Sequence, residues 1–228
     1  PQGRAPVLRD AALVAGKDLR LEWRSRVATN QVMPFAVLVL ILFAFALDPD
    51  RGVLTRATPG LYWVTVLLAS LLALSRAFSV EAADGNRDAL RLSGLDPAGI
   101  FLGKAAAVAA ELLALEAVLL VGVIVLYNAD VSGLGLLVVT CLLATAGLAA
   151  AGSLYGVLAA GVRVRETLLP LLLLPVAAPV LIGATRAFEA AFSGTTGEGW
   201  SWCTLLAIFA AVYTVFGVLA FGPLLEES

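Results

Sequence analysis

Long apolar segments alternate with short polar ones along most of the chain. A helix of about 20 apolar residues crosses the hydrocarbon core of a bilayer, and six segments approach or exceed that length. The second is the shortest, but Arg76 at its end can reach the membrane surface while Phe78 extends the helix. The pattern predicts an all-α integral membrane protein with six transmembrane helices, at residues 31–47, 60–75, 100–127, 133–162, 167–185 and 199–225.

A different periodicity precedes the first of these segments. Apolar residues recur there at steps of three and four, and most basic residues fall on the opposite side of the helix. This pattern is typical of an amphipathic helix that lies in the headgroup layer of a membrane. We therefore predict an interfacial cytoplasmic helix at residues 8–26, which serves as a topology anchor or as a brace for a moving bundle. Its apolar stripe comprises Leu8, Ala11, Ala12, Ala15, Leu19 and Trp23, and the basic residues largely opposite this stripe are Arg9, Lys17, Arg20 and Arg24.

The distribution of basic residues among the connections predicts the orientation. Lys and Arg are retained in cytoplasmic loops, and 12 of the 15 in this chain lie in the N-terminal arm or near the connections after the second and fourth spans. Both termini are therefore predicted to be cytoplasmic. The opposite connections, at 48–59, 128–132 and 186–198, are too short to fold independently. Residues 1–228 are accordingly expected to form a single transmembrane domain.

The composition supports this fold class and excludes several functions. Hydrophobic residues make up 61% and charged residues 14% of the chain, against about 45–50% and about 25% in soluble domains. A net charge of −2 does not favour nucleic-acid binding. The absence of His excludes a Ser/His/Asp triad, His-based zinc sites and imidazole ligation of haem. We predict neither a catalytic nor a metal site.

Two further sequence patterns are missing. No segment has the spacing G-x-x-x-x-G-K-[ST] of a phosphate-binding loop, so any ATP hydrolysis is expected in another subunit. The N-terminus lacks a basic start followed by a short apolar core and a cleavage site. The first span is therefore expected to insert and to remain in the membrane.

The tryptophans and cysteines are expected to have structural roles. Trp63, Trp200 and Trp202 lie where spans two and six begin, at the outer interface, where indole rings act as anchors. Cys141 and Cys203 lie inside apolar segments without metal-ligand spacing, and we expect both to be packing residues.

Two carboxylates interrupt the third span. Glu111 and Glu116 lie about 140° apart around a helix, so they do not form one catalytic pair on one face. An ionised carboxylate within a membrane is costly unless it is paired, protonated or in contact with water. Three roles remain open for them, namely polar contacts between helices, the lining of a water-filled path, and proton relay.

Small residues and prolines mark two other spans. Gly152 and Gly156 form a ridge that lets helices approach closely, either inside the bundle or at a homodimer seam. The fifth span contains Pro170, Pro175 and Pro179, each of which removes a backbone donor and favours a bend. This span is predicted to be the most deformable.

The connection at residues 79–99 is the longest polar stretch on the predicted cytoplasmic side. It alternates charges with a few leucines, and residues 87–92 can form a short helix. We predict that it docks into a partner and receives mechanical force, with a solvated linker as the alternative. The candidate coupling residues are Glu81, Gly85, Arg87, Leu90, Leu92, Ser93 and Asp96.

Characteristic segments are spread over nearly the whole chain. They are KDLRLE at 17–22, FAFALDPD at 43–50, PGLYW at 59–63, IFLGK at 100–104 and RVRETLLPLLLLPVAAPVLIGAT at 163–185. The last of these is the most specific. These segments resemble the cytochrome c maturation protein B family, also called the haem exporter B family of ABC-type permeases. The resemblance extends to Arg76, Phe78, Glu81, Gly85, Leu90, Leu92 and Ser93.

The resemblance implies an ABC-2-like permease of a bacterial inner membrane that is not itself an enzyme. ATP and Mg²⁺ would bind to a separate ABC ATPase subunit (CcmA-like). Further partners would be a haem-handling membrane protein (CcmC-like), a small single-span subunit (CcmD-like) and a periplasmic haem chaperone (CcmE-like). The complex would deliver haem, or release the haem-loaded chaperone, during cytochrome c maturation. Haem would be ligated by a partner rather than by this chain. If the ATPase acts as a dimer, the complex would contain two permease chains, as a homodimer, or one permease chain plus a relative.

Two other functions stay open. A non-transporting scaffold would recruit haem-handling partners and would not depend on ATP. An ABC-2-like exporter of a lipid or drug would use Glu111 and Glu116 to line its path. An intramembrane enzyme is the weakest alternative, because no nucleophile and base occur at a workable spacing.

Overall fold

The chain is described by a computed structural model that covers residues 4–26, 28–47, 51–82, 94–129, 131–160 and 165–227. Seven α-helices and no strand occur among these residues. One turn of π-helix, Ala28–Val32, precedes the second helix. The helices are α1 (Arg4–Ser25), α2 (Met33–Leu47), α3 (Arg51–Ala82), α4 (Pro97–Leu126), α5 (Leu134–Ala160), α6 (Arg165–Ser193) and α7 (Thr196–Glu227).

Six of the helices, α2 to α7, are long and apolar enough to cross a membrane. They correspond one by one to the six predicted spans, so that prediction is confirmed. The helix α1 accounts for the predicted amphipathic segment. The spans are helical because a single chain segment in hydrocarbon must satisfy its backbone N–H and C=O groups within its own helix.

Two predicted outer loops are largely helical, and their predicted bounds were wrong. The segment 48–59 was expected to be a loop, but α3 begins at Arg51 because Leu54 and Thr58 pack into the bundle. The segment 186–198 is helical except for Gly194 and Thr195. Buried residues such as Phe188 extend α6 beyond the apolar segment, and Gly194 makes the turn at a φ of 79°. Contact with neighbouring helices therefore continues past the end of the hydrophobic pattern.

The connection predicted at 79–99 is also shorter than expected. The helix α3 continues to Ala82 and α4 begins at Pro97. The Asp96 carboxylate caps α4 by accepting a hydrogen bond from the Ala98 amide at 2.8 Å, and Pro97 suits the first turn because its missing N–H needs no partner there. The short helix predicted at residues 87–92 lies outside the described residues.

The helix α5 lies at the centre of the bundle and packs against α3, α4, α6 and α7. Its Gly152 contacts Leu74 of α3, and its Gly156 contacts the ring of Phe78. A Cβ atom at either glycine would overlap these side chains. The small-residue ridge is thus used for internal packing rather than for a seam between two copies.

Trp63 was expected at the membrane surface, and this prediction was wrong. The residue is 0% exposed, and its ring lies 5.2 Å from that of Phe188 and 5.5 Å from that of Tyr62, measured between centroids. The aromatic cluster at the junction of α3 and α6 explains the burial. Trp200 is exposed and Trp202 is partly buried, as surface anchors at the start of α7 would be.

The helix α6 contains all three of the predicted kink prolines. Pro170, Pro175 and Pro179 lie within the single helix Arg165–Ser193. Prolines also occur inside α3 and α7, at Pro59 and Pro223. Whether α6 is the most deformable span stays a prediction.

The amphipathic helix α1 packs along the first turns of α4. Gly99 and Gly103 of α4 face it directly. A Cβ atom at Gly99 would lie 2.8 Å from the Asp10 Cβ, and one at Gly103 would lie 2.6 Å from the Ala11 carbonyl oxygen. The absence of side chains at these two glycines therefore allows the close contact between α1 and α4.

The substitution Gly103→Ala tests this close contact between α1 and α4. We expect it to lower the free energy of unfolding by about 1–3 kcal/mol, because the added methyl group overpacks a backbone contact. The measurement is an unfolding titration with SDS in mixed micelles.

The matched control is Gly135→Ala in α5, where a Cβ atom would meet nothing within 4 Å. It should leave stability unchanged or raise it by up to about 1 kcal/mol, because Ala is the better helix former. Equal losses in the two variants would contradict the close approach of α1 and α4.

Candidate functional site

The helix α1 meets the bundle through a stripe with a spacing of four residues. The stripe consists of Asp10, Val14, Asp18 and Glu22, which share one face of the helix. Val14 is buried, while the predicted apolar stripe remains largely exposed, with Leu8 68% and Trp23 84% accessible. The sequence therefore indicated an amphipathic helix correctly but did not show that its acidic face binds the other helices.

The first contact of this acidic face is with the start of α4. One carboxylate oxygen of Asp10 accepts a hydrogen bond from the backbone N–H of Asp96 at 3.0 Å. Asp96 is the residue that caps α4. The end of the predicted coupling connection is thus held by α1.

The second contact neutralises a buried cation. Lys104 of α4 is buried, and its Nζ lies 3.6 Å from Oδ2 of Asp18 and 5.5 Å from the centre of the Phe78 ring. A buried ammonium group is tolerated only when it is paired, and both an anion and an aromatic face are present here. Lys104 thereby joins α1, α3 and α4 at one point.

The third contact is with the end of α3. The Arg76 Nε lies 3.7 Å from Oε2 of Glu22. Arg76 is near the C-terminal end of α3, so α1 holds both helices that flank the predicted coupling connection. Of the candidate coupling residues, Asp96 lies at this site and Glu81 lies in the last turn of α3, while Gly85, Arg87, Leu90, Leu92 and Ser93 fall outside the described residues.

The contacts of α1 also bear on the depth of Glu111. Because α1 carries several basic residues, it cannot lie in the hydrocarbon core. Glu111 lines a groove together with Leu19 and Glu22 from the last turns of α1, and with Met33 at the start of α2. Glu116 follows about 7.5 Å further along α4. Glu111 therefore lies closer than Glu116 to the membrane surface on the side of α1.

Glu116 faces the interior of the bundle. The Thr145 hydroxyl of α5 donates a hydrogen bond to Oε1 of Glu116, and the Tyr62 hydroxyl of α3 donates one to the Glu116 backbone carbonyl at 3.0 Å. The Tyr62 oxygen also lies 3.8 Å from Sγ of Cys141. The second carboxyl oxygen, Oε2, has no hydrogen-bond partner among the described residues. The four polar side chains join α3, α4 and α5 within the membrane.

The two glutamates are thus kept apart by the fold. Glu111 lies in the groove beside α1, whereas Glu116 is buried against α5. Within the described part of the chain, no group of three or more His, Cys, Asp or Glu residues could hold a metal ion. Cys141 and Cys203 are both buried inside the bundle, as expected for packing residues.

The contact between α1 and α4 was not predicted from the sequence, but two sequence patterns mark the residues that form it. Gly99 and Gly103 are separated by three residues, which is the spacing of a small-residue ridge. The acidic residues of α1 recur at steps of four and eight, which is the period of one helix face. Either pattern taken alone is common, and only the structure shows that the glycines of α4 and the acidic face of α1 belong to the same contact.

Comparison with known proteins gives a consistent result over most of the chain. The family model described as "CcmB protein" matches residues 10–228. The chain is 31% identical over 216 residues to heme exporter protein B of Paracoccus denitrificans, covering 91% of this chain and 92% of that protein. It is 31% identical over 215 residues to heme exporter protein B of Bradyrhizobium diazoefficiens, covering 93% and 95%. The heme exporter protein B of Haemophilus influenzae is 33% identical over 177 residues, covering 77% and 79%.

The buried hydrogen bond between Thr145 and Glu116 can be tested by substitution. We expect Thr145→Val to lower the free energy of unfolding by about 1–3 kcal/mol, because a buried carboxyl oxygen loses its donor. The same SDS titration measures the effect.

Thr204→Val serves as the control, because the Thr204 hydroxyl is exposed and bonds only to the Trp200 carbonyl of its own helix. Its expected effect is within about 0.5 kcal/mol. If the two variants have the same stability, the Thr145 hydroxyl does not stabilise the bundle.

Proposed function

The chain belongs to the CcmB protein family, and from this membership we propose that it is the membrane-spanning subunit of an ATP-driven haem exporter complex in cytochrome c maturation. The observation that carries the proposal is the match of residues 10–228 to the CcmB family model. Similar proteins are named heme exporter protein B. The six apolar helices give the chain the form that a membrane subunit requires.

Energy would come from a separate ABC ATPase subunit that binds ATP and Mg²⁺, because this chain has no phosphate-binding loop. The ATPase would act from the cytoplasm of a bacterial cell. The excess of basic residues near the α1 end of the bundle supports a cytoplasmic location for that end and for both termini. The connection between α3 and α4 would then face the ATPase.

Force would pass from this connection into α3 and α4. The acidic face of α1 supports such a path, because Glu22 contacts Arg76 near the end of α3 and Asp18 contacts Lys104 near the start of α4. A displacement of the connection would therefore move three helices together rather than one. In this proposal α1 acts as a brace, which was one of the two roles considered for it.

Haem is the cargo of the proposed complex and would be ligated by a partner. The chain has no His, and its single methionine, Met33, lies partly buried at the start of α2. The other subunits would include a second haem-handling membrane protein, a small single-span protein and a periplasmic haem chaperone. The complex would use ATP to deliver haem to that chaperone or to release the loaded chaperone.

The coupling connection is tested by Leu90→Glu. We expect this variant to lose co-purification with the co-expressed ATPase in mild detergent, and to lose cytochrome c assembly in cells, because a carboxylate replaces an apolar docking residue.

Thr195→Glu is the matched control, since it adds a carboxylate to an exposed connection at the opposite end of the bundle. It should retain both properties. Intact ATPase binding in Leu90→Glu would exclude the proposed docking role, and assembly without any ATP dependence would favour the scaffold.

The brace is tested separately by Asp18→Asn. We expect the ATPase to remain bound and to hydrolyse ATP, while cytochrome c assembly falls, because the ion pair between Asp18 of α1 and Lys104 of α4 is lost and the two helices are less firmly joined. Asp18→Glu keeps the negative charge, and cytochrome c assembly should be retained in this variant.

Arg186→Gln provides the comparison, because it removes the exposed ion pair with Glu189 at the other end of the bundle. Cytochrome c assembly in cells with this variant should equal that in cells with the unaltered protein. Normal assembly in Asp18→Asn, or equal losses in both variants, would count against a coupling role for α1.

A further inference from the structure

A groove of about 270 Å³ opens between α1, the start of α2, α3 and α4. Most of its lining is apolar, and the small residues Ala73, Ala110 and Ala114 provide its depth. Ala110 and Ala114 are exposed on the surface of α4, so the groove is open to the side of the bundle. A largely apolar groove of this volume on a membrane protein can hold part of an apolar molecule.

Three charged residues lie in the same groove. Glu22 and Arg76 form an ion pair, whereas none of the ion pairs between described residues includes Glu111. The lining therefore contains two carboxyl groups and one basic group. A carboxylate beside an apolar surface is complementary to a molecule that has an amine at one end and a hydrocarbon chain at the other.

The position of the groove agrees with such a molecule. Its charged residues lie beside the last turns of α1, whose basic residues keep that helix out of the hydrocarbon core. The lining residues Leu112 and Leu115 continue along α4 from Glu111, in the direction of the buried Glu116. The polar end of the groove is thus near the headgroups, and its apolar end is near the acyl chains.

We propose that this groove binds one aminophospholipid of the phosphatidylethanolamine type. Its primary ammonium group donates hydrogen bonds to Glu111, its phosphate lies near Arg76, and one acyl chain follows the apolar lining. Phosphatidylcholine has no N–H donor, and phosphatidylglycerol has no cation, so neither matches the carboxylate. The bound lipid fills the space beside the α1 contacts and holds α1 against α4. The inference does not depend on the cargo of the complex.

The experiment uses Trp23, which lines the groove, as a fluorescent reporter. In a Trp200→Phe/Trp202→Phe background the remaining tryptophans are Trp23 and the fully buried Trp63, which is shielded from lipid. The protein is placed in nanodiscs of phosphatidylcholine that contain increasing fractions of a lipid with brominated acyl chains. Bromine quenches Trp23 when a labelled chain occupies the groove.

Brominated phosphatidylethanolamine should reach half-maximal quenching at a mole fraction about two- to fivefold lower than brominated phosphatidylcholine or phosphatidylglycerol, the range expected for one hydrated ion pair. Glu111→Gln should remove this difference. Glu189→Gln, an exposed carboxylate at the opposite end, should preserve it. Ala114→Phe, which fills the groove from an exposed position, should also remove it.

Three results would overturn the proposal. Equal quenching by all three lipids would mean that Trp23 meets only bulk lipid, or that a protein segment covers the groove. A preference for phosphatidylglycerol would assign the effect to the basic residues of α1. A preference for phosphatidylethanolamine that persists in both Glu111→Gln and Ala114→Phe would place the lipid elsewhere.

Discussion

A buried cation has to be paired, and the arrangement of α1 follows from this constraint at Lys104. Its ammonium group lies at the junction of α1, α3 and α4, where the carboxylate of Asp18 and the ring of Phe78 are its neighbours. An unpaired charge in such a place would cost several kcal/mol. Because Asp18 belongs to α1, removal of the amphipathic helix from the bundle would take this carboxylate away from Lys104. The contacts of Asp10 and Glu22 on the same face extend this attachment along α1.

Glycines allow close helix packing at several junctions, and two of these junctions share one side chain. Gly99 and Gly103 let α1 approach α4, while Gly152 and Gly156 let α5 approach Leu74 and Phe78 of α3. Between apolar helices in lipid there is little hydrophobic driving force, so close van der Waals contact is the main source of attraction. Phe78 takes part in both junctions, because its ring touches Gly156 on one side and faces the Lys104 ammonium group on the other. The central packing of α5 and the docking of α1 are therefore connected through one side chain.

The third span shows how one helix can place two similar residues in different chemical environments. Glu116 is enclosed by α3 and α5 and accepts a hydrogen bond from Thr145. Glu111 lies in the lateral groove beside α1 and Met33. They lie about 140° apart around the helix, which places them on different faces. One of them contributes to contacts within the bundle, and the other is available to a molecule in the surrounding membrane.

The sequence alone determined the number of spans and the presence of an amphipathic helix before them, because both depend on local hydrophobic patterns. It did not determine which face of α1 binds the bundle, the burial of Trp63 or the extension of α3 and α6 into the predicted loops. These features depend on partners far away in the chain, such as Asp96 for Asp10. A periodic pattern shows that a helix has distinct faces, but it does not show what each face contacts. Only the tertiary structure decided that the acidic face of α1 would meet Gly99 and the buried Lys104 of α4 and Arg76 of α3.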